Sequence, residues 1–97
     1  MWTPSKKAQT WVAYHFRPYR GRYPSEPILV YAVFCVNARS QADGDNLFKL
    51  VADAMQEAGV VGNDRQIRKH IVEMVTVPYG EERTVVWFGT EEEAEAR

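Results

Sequence analysis

Cysteine is nearly absent from this sequence. Its single thiol, Cys35, excludes an intrachain disulfide framework and any multi-cysteine zinc site, and its place inside an apolar run marks it as a small buried hydrophobe in a reducing compartment. Histidine is almost as scarce. His15 and His70 are the two present, and neither has a partner at metal-ligand spacing, which argues against zinc. Long hydrophobic runs are missing as well: the longest, Ile28 to Val36, falls far short of the roughly 20 residues that span a bilayer. No basic segment followed by an apolar core opens the chain as a secretory leader would. The expectation is a cytoplasmic protein with no membrane partner.

An excess of charge of one sign is also lacking, since the formal net charge is −1. That excludes a strongly basic field over the whole surface. Four of the acids, Glu91, Glu92, Glu93 and Glu95, crowd the end of the chain, and without residues 91–97 the balance is 11 basic against 9 acidic residues, or +2. Affinity for phosphates would therefore come from local clusters and from bound cations. Apolar residues make up 45% and charged residues 26% of the 97, an ordinary globular composition rather than a disordered or fibrous one. A chain of this length buries only roughly two thirds of its unfolded surface, so a homodimer is expected. One domain over residues 1–90, followed by an acidic tail over 91–97, is the expected organisation.

Thr3 and Pro4 read as an N-cap and a first helical residue, and Ala8, Trp11, Val12 and His15 follow at helical spacing. That helix should end before Pro18, where the Pro- and Gly-punctuated stretch from Arg17 to Pro24 predicts a loop. Ile28 to Val36 runs apolar without polar alternation, which predicts a strand buried on both faces. Leu47, Leu50, Val51, Ala54, Met55 and Ala58 recur at i, i+3, i+4, i+7, i+8 and i+11, the clearest helix in the chain, with Gly59 placed to terminate it. Ile67 to Val77 and Thr84 to Phe88 are rich in β-branched residues and should pair as a hairpin, leaving 91–97 as a frayed tail. The order helix, strand, helix, strand, strand predicts an α+β fold, a small mixed β-sheet with helices packed on it. Its strand–helix–strand part is a parallel crossover.

The chemistry concentrates where the strong helix begins. In Asp43-Gly44-Asp45-Asn46-Leu47-Phe48-Lys49, Asp45 and Lys49 are about 40° apart on the face opposite the apolar stripe. An aspartate N-cap with an i, i+4 ion pair accounts for the same residues without any function. A calcium loop of the EF-hand type does not, because Leu47, Phe48 and Ala54 stand where such a loop needs its ligands and its glycine. A magnesium-type site remains, since hard cations take carboxylate oxygens and keep waters and substrate phosphate as other ligands. Asp64 could be a third carboxylate, or a turn residue after Gly62-Asn63; the crossover does not by itself bring it near Asp43.

These residues, followed by Ala54-Met55, Ala58-Gly59-Val60 and Asn63-Asp64-x-Gln66-Ile67, resemble the RusA family of Holliday junction resolvases. That family carries D-x-D-N-L-x-K, a helix, and then G-[ILVF]-x-x-[DN]-D-x-Q-[IV]. The resemblance implies a metal-dependent endodeoxyribonuclease that nicks four-way and other branched DNA. Carried over by position, it gives Asp43, Asp45 and Asp64 as ligands of Mg2+ or Mn2+ and Lys49 as a further catalytic group. It also implies a role in phage or prophage DNA processing. Family members usually begin with an additional strand and a basic, proline-containing loop that this sequence lacks. The alternative is therefore a shortened, catalytically impaired relative that binds branched DNA without cutting it.

Outside that motif, Arg17, Arg20 and Arg22 alternate with Tyr19 and Tyr23, a pattern suited to phosphates and to exposed bases at a branch point; a solvated loop is the bland reading. Trp11, Trp87 and Phe88 lie at helical and strand spacing in apolar patterns, which places them in the core or a subunit interface.

Overall fold

The computed structural model describes residues 6–96; the helix start read at Thr3 and Pro4, and Arg97, lie outside the described residues. Helix α1 spans Lys6–Phe16 and buries Ala13 and Phe16. It gives way to a 3-10 turn at Arg17–Tyr19, so the expected loop starts as an ordered turn. Strand β1 is Ile28–Val36 and helix α2 is Gly44–Glu57. Helix α2 ends as its pattern predicts: Gly59 has φ +78°, the Val60 amide donates to the Met55 carbonyl (3.0 Å) and the Gly59 amide to that of Gln56 (3.1 Å), the paired bonds of a Schellman stop. Strand β2 is Ile67–Thr76, strand β3 is Arg83–Gly89 and helix α3 is Glu91–Glu95.

The three strands form an α+β architecture with order β2-β1-β3. β1 is parallel to β2 across the α2 crossover, as predicted, with Ala32 beside Val72 and Phe34 beside Met74. The predicted hairpin is corrected, however. β3 runs antiparallel to β1, pairing Val30 with Phe88 and Phe34 with Thr84. The connection from β2 passes the end of β1, where the Val77 amide donates to the Val36 carbonyl (2.8 Å) and Asn37 Nδ2 to Glu82 (3.2 Å). Both edges of the most apolar strand then find ladder partners, and Phe88 reaches the core beside Phe16, their ring centroids 5.8 Å apart.

The core is a single layer between the helices and one face of the sheet: Ile28, Val30, Ala32 and Phe34 from β1 meet Val51, Ala54 and Met55 from α2. A strand buried on both faces is therefore a second correction. Burial alternates along most of β1, and Leu29, Tyr31 and Val33 line an open face with Ile71, Val85 and Trp87, around a cavity of about 510 Å³. Helices α1 and α2 pack on the opposite face, and among the described residues of the helices only Ala94 of α3 borders this one. The third correction concerns the end of the chain. Residues 91–95 are helical rather than frayed, because Thr90 and Glu93 form a reciprocal capping box that satisfies the first amides of the helix.

Candidate active site

Helix α2 begins with Asp43 as its N-cap, in extended conformation. Its Oδ1 accepts from the Asn46 amide at 2.9 Å and its Oδ2 from Asn46 Nδ2 at 3.0 Å. Each oxygen keeps a second lone pair. Capping and ligation are thus compatible in one side chain. Gly44 sits between the two aspartates for a packing reason: a Cβ there would lie 3.2 Å from Val72 Cγ1, so glycine lets the start of α2 approach β2 closely. Asp43, Gly44, Asp45 and Asn46 with Val72 and Met74 then line an open pocket of about 500 Å³.

Asp45 lies in the first turn, where a negative charge also complements the helix N-terminus. Asp45 and Lys49 are both exposed, and among the described residues no ion pair joins them. The bland i, i+4 pair is therefore not what this structure forms. Two carboxylates that keep free lone pairs, beside an amide side chain in an open pocket, are a donor set suited to a hard divalent cation. Lys49 stands one turn further along the same helix.

Asp64 is held by a different device. It opens a 3-10 turn, Asp64–Gln66, capped by Asn63, whose side chain accepts from the Arg65 amide at 2.8 Å. Gln66 anchors the turn: its Oε1 accepts from the Gly62 and Asn63 amides (2.8 and 3.0 Å), while its Nε2 donates to the carbonyls of Tyr23 and Glu26 (2.8 and 2.9 Å). A Cβ on Gly62 would stand 3.0 Å from the Pro24 carbonyl oxygen. Asn63, Gln66 and Gly62 thus form a rigid base that leaves Asp64 exposed. Their supporting role was not read from the sequence, although Asn63 and Gln66 stand in the motif; the signal was their fixed spacing around Asp64.

The structure brings Asp43 and Asp45 together and leaves Asp64 apart. Asp64 precedes the first residue of β2, whereas the pocket touches β2 at Val72 and Met74. About 23 Å of strand separates Ile67 from Met74 at roughly 3.3 Å per residue. Among the described residues no group of three or more His, Cys, Asp or Glu side chains is arranged to hold a metal.

The arginine–tyrosine segment is ordered and partly committed. Tyr23 is only 4% exposed and its hydroxyl donates to Glu93 Oε1 at 2.8 Å, so its ring is no base-stacking platform. Burial, and then the hydrogen bond to Glu93, push its phenol above the usual tyrosine range. Tyr19 remains exposed, edge-on to Phe88. Arg20 packs its side chain over Gly59, Arg17 lies over the Tyr14 ring, and Arg22 reaches Glu93 Oε2 at 3.7 Å.

Of the remaining candidates, His15 contacts the Trp11 carbonyl (3.0 Å) and His70 stacks on Phe48. Trp11 is 66% exposed, outside the core, whereas Phe88 packs against the core and Trp87 lines the open sheet face. Cys35 is buried, as expected. Among the described residues no helix is long and apolar enough to cross a membrane.

Compared with known families, the chain matches the model described as Endodeoxyribonuclease RusA over residues 2–87, a span that includes α1, the Asp43–Lys49 segment, the Asp64 turn and most of β3. No match was found among curated proteins.

Proposed function

The chain belongs to the endodeoxyribonuclease RusA family, and from that premise we propose that it is a Mg2+- or Mn2+-dependent endonuclease that cuts four-way and other branched DNA by paired nicks, acting as a homodimer. The observation that carries this reading is the pair of exposed carboxylates, the capping Asp43 with one lone pair left on each oxygen and Asp45, at the mouth of one open pocket with Lys49 a turn away. A divalent ion held there would supply Lewis-acid charge neutralisation and a nucleophilic water at neutral pH. Asp43 and Asp45 serve as its ligands. Lys49 offers a positive charge to the phosphate as negative charge builds on it, and the N-terminus of α2 adds its partial positive charge at the same point.

Asp64 enters this site in the proposal through a second copy of the chain. β2 is an edge strand with Ile71, Met74 and Val75 all at least 40% exposed, an edge of the kind that pairs with another strand. Antiparallel pairing of two β2 strands about Ile71 sets Lys69 of one copy opposite Glu73 of the other, twice over, and Ile71 against Ile71. A register centred on either charged residue would oppose like charges instead. That pairing exchanges the two ends of β2: it sets Arg68 of one copy opposite Met74 of the other and carries the Asp64 turn to the end of the partner's β2 at which Asp43 and Asp45 stand. Two such sites, related by a two-fold axis, suit a junction that presents two equivalent strands.

Asp45→Asn and Asp64→Asn, each inactive alone, test both halves of the reading when mixed with a labelled four-way junction and magnesium. A site shared between copies leaves one intact site in each mixed dimer, so single-strand nicks return without paired cuts. A site built within one copy leaves the mixture silent. Parent protein that shifts the junction in a gel without metal-dependent nicks would defeat the endonuclease reading and favour a junction-binding relative without turnover.

A further inference from the structure

Helix α3 lies beyond the stretch matched to the family, residues 2–87, and it docks on the segment that carries the arginines. The contact is specific. Glu93 Oε1 accepts from the Tyr23 hydroxyl and from the Thr90 amide, each at 2.8 Å, while Thr90 Oγ1 accepts from the Glu93 amide at 3.2 Å. This reciprocal cap fixes which way Glu93 faces, and its second oxygen is then turned toward Arg22, 3.7 Å from Nη2. On the other side of α3, Ala94 joins Trp87 in lining the open sheet face, so the helix is braced from both sides.

The electrostatics follow from size. A five-residue helix is about 7.5 Å long at roughly 1.5 Å per residue, shorter than the Debye length of about 10 Å at 0.1 M salt. Glu91, Glu92 and Glu95 therefore act on Arg22 together with Glu93. An exposed ion pair is weak, so a polyanion can displace it. That makes the contact reversible rather than a fixed structural clasp.

We propose that α3 is an acidic strap that competes with DNA for Arg22 and lowers the affinity for branched DNA until nucleic acid displaces it. This rests on the reading of the Arg17–Tyr23 segment as a DNA contact. The strap occupies the arginine with carboxylates in the place a phosphate would take, and its neighbouring charges repel the backbone that approaches. Binding is then harder to achieve at low salt than the basic segment alone would dictate.

Full-length variants decide the matter by fluorescence anisotropy on a labelled four-way junction without magnesium, at about 50 and 300 mM salt. Glu93→Gln keeps an acceptor for Tyr23 and Thr90 and removes only the charge; Glu91→Gln/Glu92→Gln/Glu95→Gln leaves the docking residue untouched. Each is expected to tighten binding about threefold to tenfold at low salt, with the gain fading at high salt as screening removes the repulsion. Arg22→Ala combined with Glu93→Gln should erase that gain. Persistence of the gain without Arg22 would overturn the strap in favour of general repulsion. Unchanged affinity in Glu93→Gln, with weaker binding in Arg22→Ala, would overturn the strap and keep the DNA contact. Affinity unaffected by any of these changes, in a protein that still cuts junctions, would remove the DNA contact and the strap with it while leaving the nuclease reading in place.

Discussion

The start of α2 and the Arg17–Tyr23 segment present the same kind of signal in sequence, charged residues at suggestive spacing, yet they differ in what their polar atoms do. At the start of α2, Asp43 spends one lone pair per oxygen on Asn46, and neither Asp45 nor Lys49 enters an ion pair among the described residues. In the basic segment, Tyr23 is buried and bonded to Glu93, and Arg22 faces the same carboxylate. Uncommitted polar groups in an open pocket are available to an external ligand. Groups already bonded to one another first serve the fold.

The largest expected effect lies at the uncommitted end. Asp45→Asn should lower metal-dependent nicking by roughly a thousandfold, a barrier change of about 4 kcal/mol, while circular dichroism and the melting temperature stay those of the parent, because no internal partner is lost. Substantial nicking by that variant breaks the comparison at its strongest point. Lys49→Met comes next, with a single-turnover rate about a hundredfold lower on a pre-bound junction, near 3 kcal/mol. A rate within threefold of the parent would return this lysine to the surface.

Gln66 sharpens the comparison from the other side, since it is wholly committed: it bonds two amides and two carbonyls. Gln66→Ala should cost about 1–3 kcal/mol in urea unfolding and should also slow cleavage, because the turn that presents Asp64 loses its base. Full activity in that variant would detach Asp64 from the site.

The smallest effect belongs to Glu93. The Thr90 amide first, and then the Tyr23 hydroxyl, hold its carboxylate below the ordinary value of 4.5. A depressed carboxylate contributes stability that is present above the unfolded value and is lost as pH falls through the folded one. Docking of α3 should therefore persist at neutral pH and loosen only below about 4.5, which the Thr90 amide resonance would report in an acid titration. Glu93→Gln should flatten that titration; an identical curve in the variant would show that another group governs the helix.

Local signals were legible because short-range physics writes them directly. The apolar stripe of α2, its glycine stop and the parallel crossover follow from periodicity and capping, and the structure reproduces them. The helix at 91–95 replaces the frayed end expected there despite an equally local cue, the Thr90 and Glu93 spacing of a capping box, because an acidic run without an apolar face hides a helix held by its cap and by Tyr23. Asn63 and Gln66 are both visible as motif letters, and Asn63 works locally on the Arg65 amide, but the anchoring by Gln66 is not legible, since the carbonyls it holds, those of Tyr23 and Glu26, lie some forty residues away in the chain.

By itself the sequence determined the two longer helices and the three strands, their α+β order and membership in the RusA family, through hydrophobic spacing and one motif whose charges stand at fixed intervals. Only the tertiary structure decided that β3 crosses to the far edge of β1, that one sheet face stays open, that Tyr23 is buried and that Asp64 stands a strand's length from Asp43. The physical reason is common to all four. Strand partners, faces and distances depend on which distant segments compete for the same apolar surface and the same free hydrogen bonds, and nothing local encodes that competition.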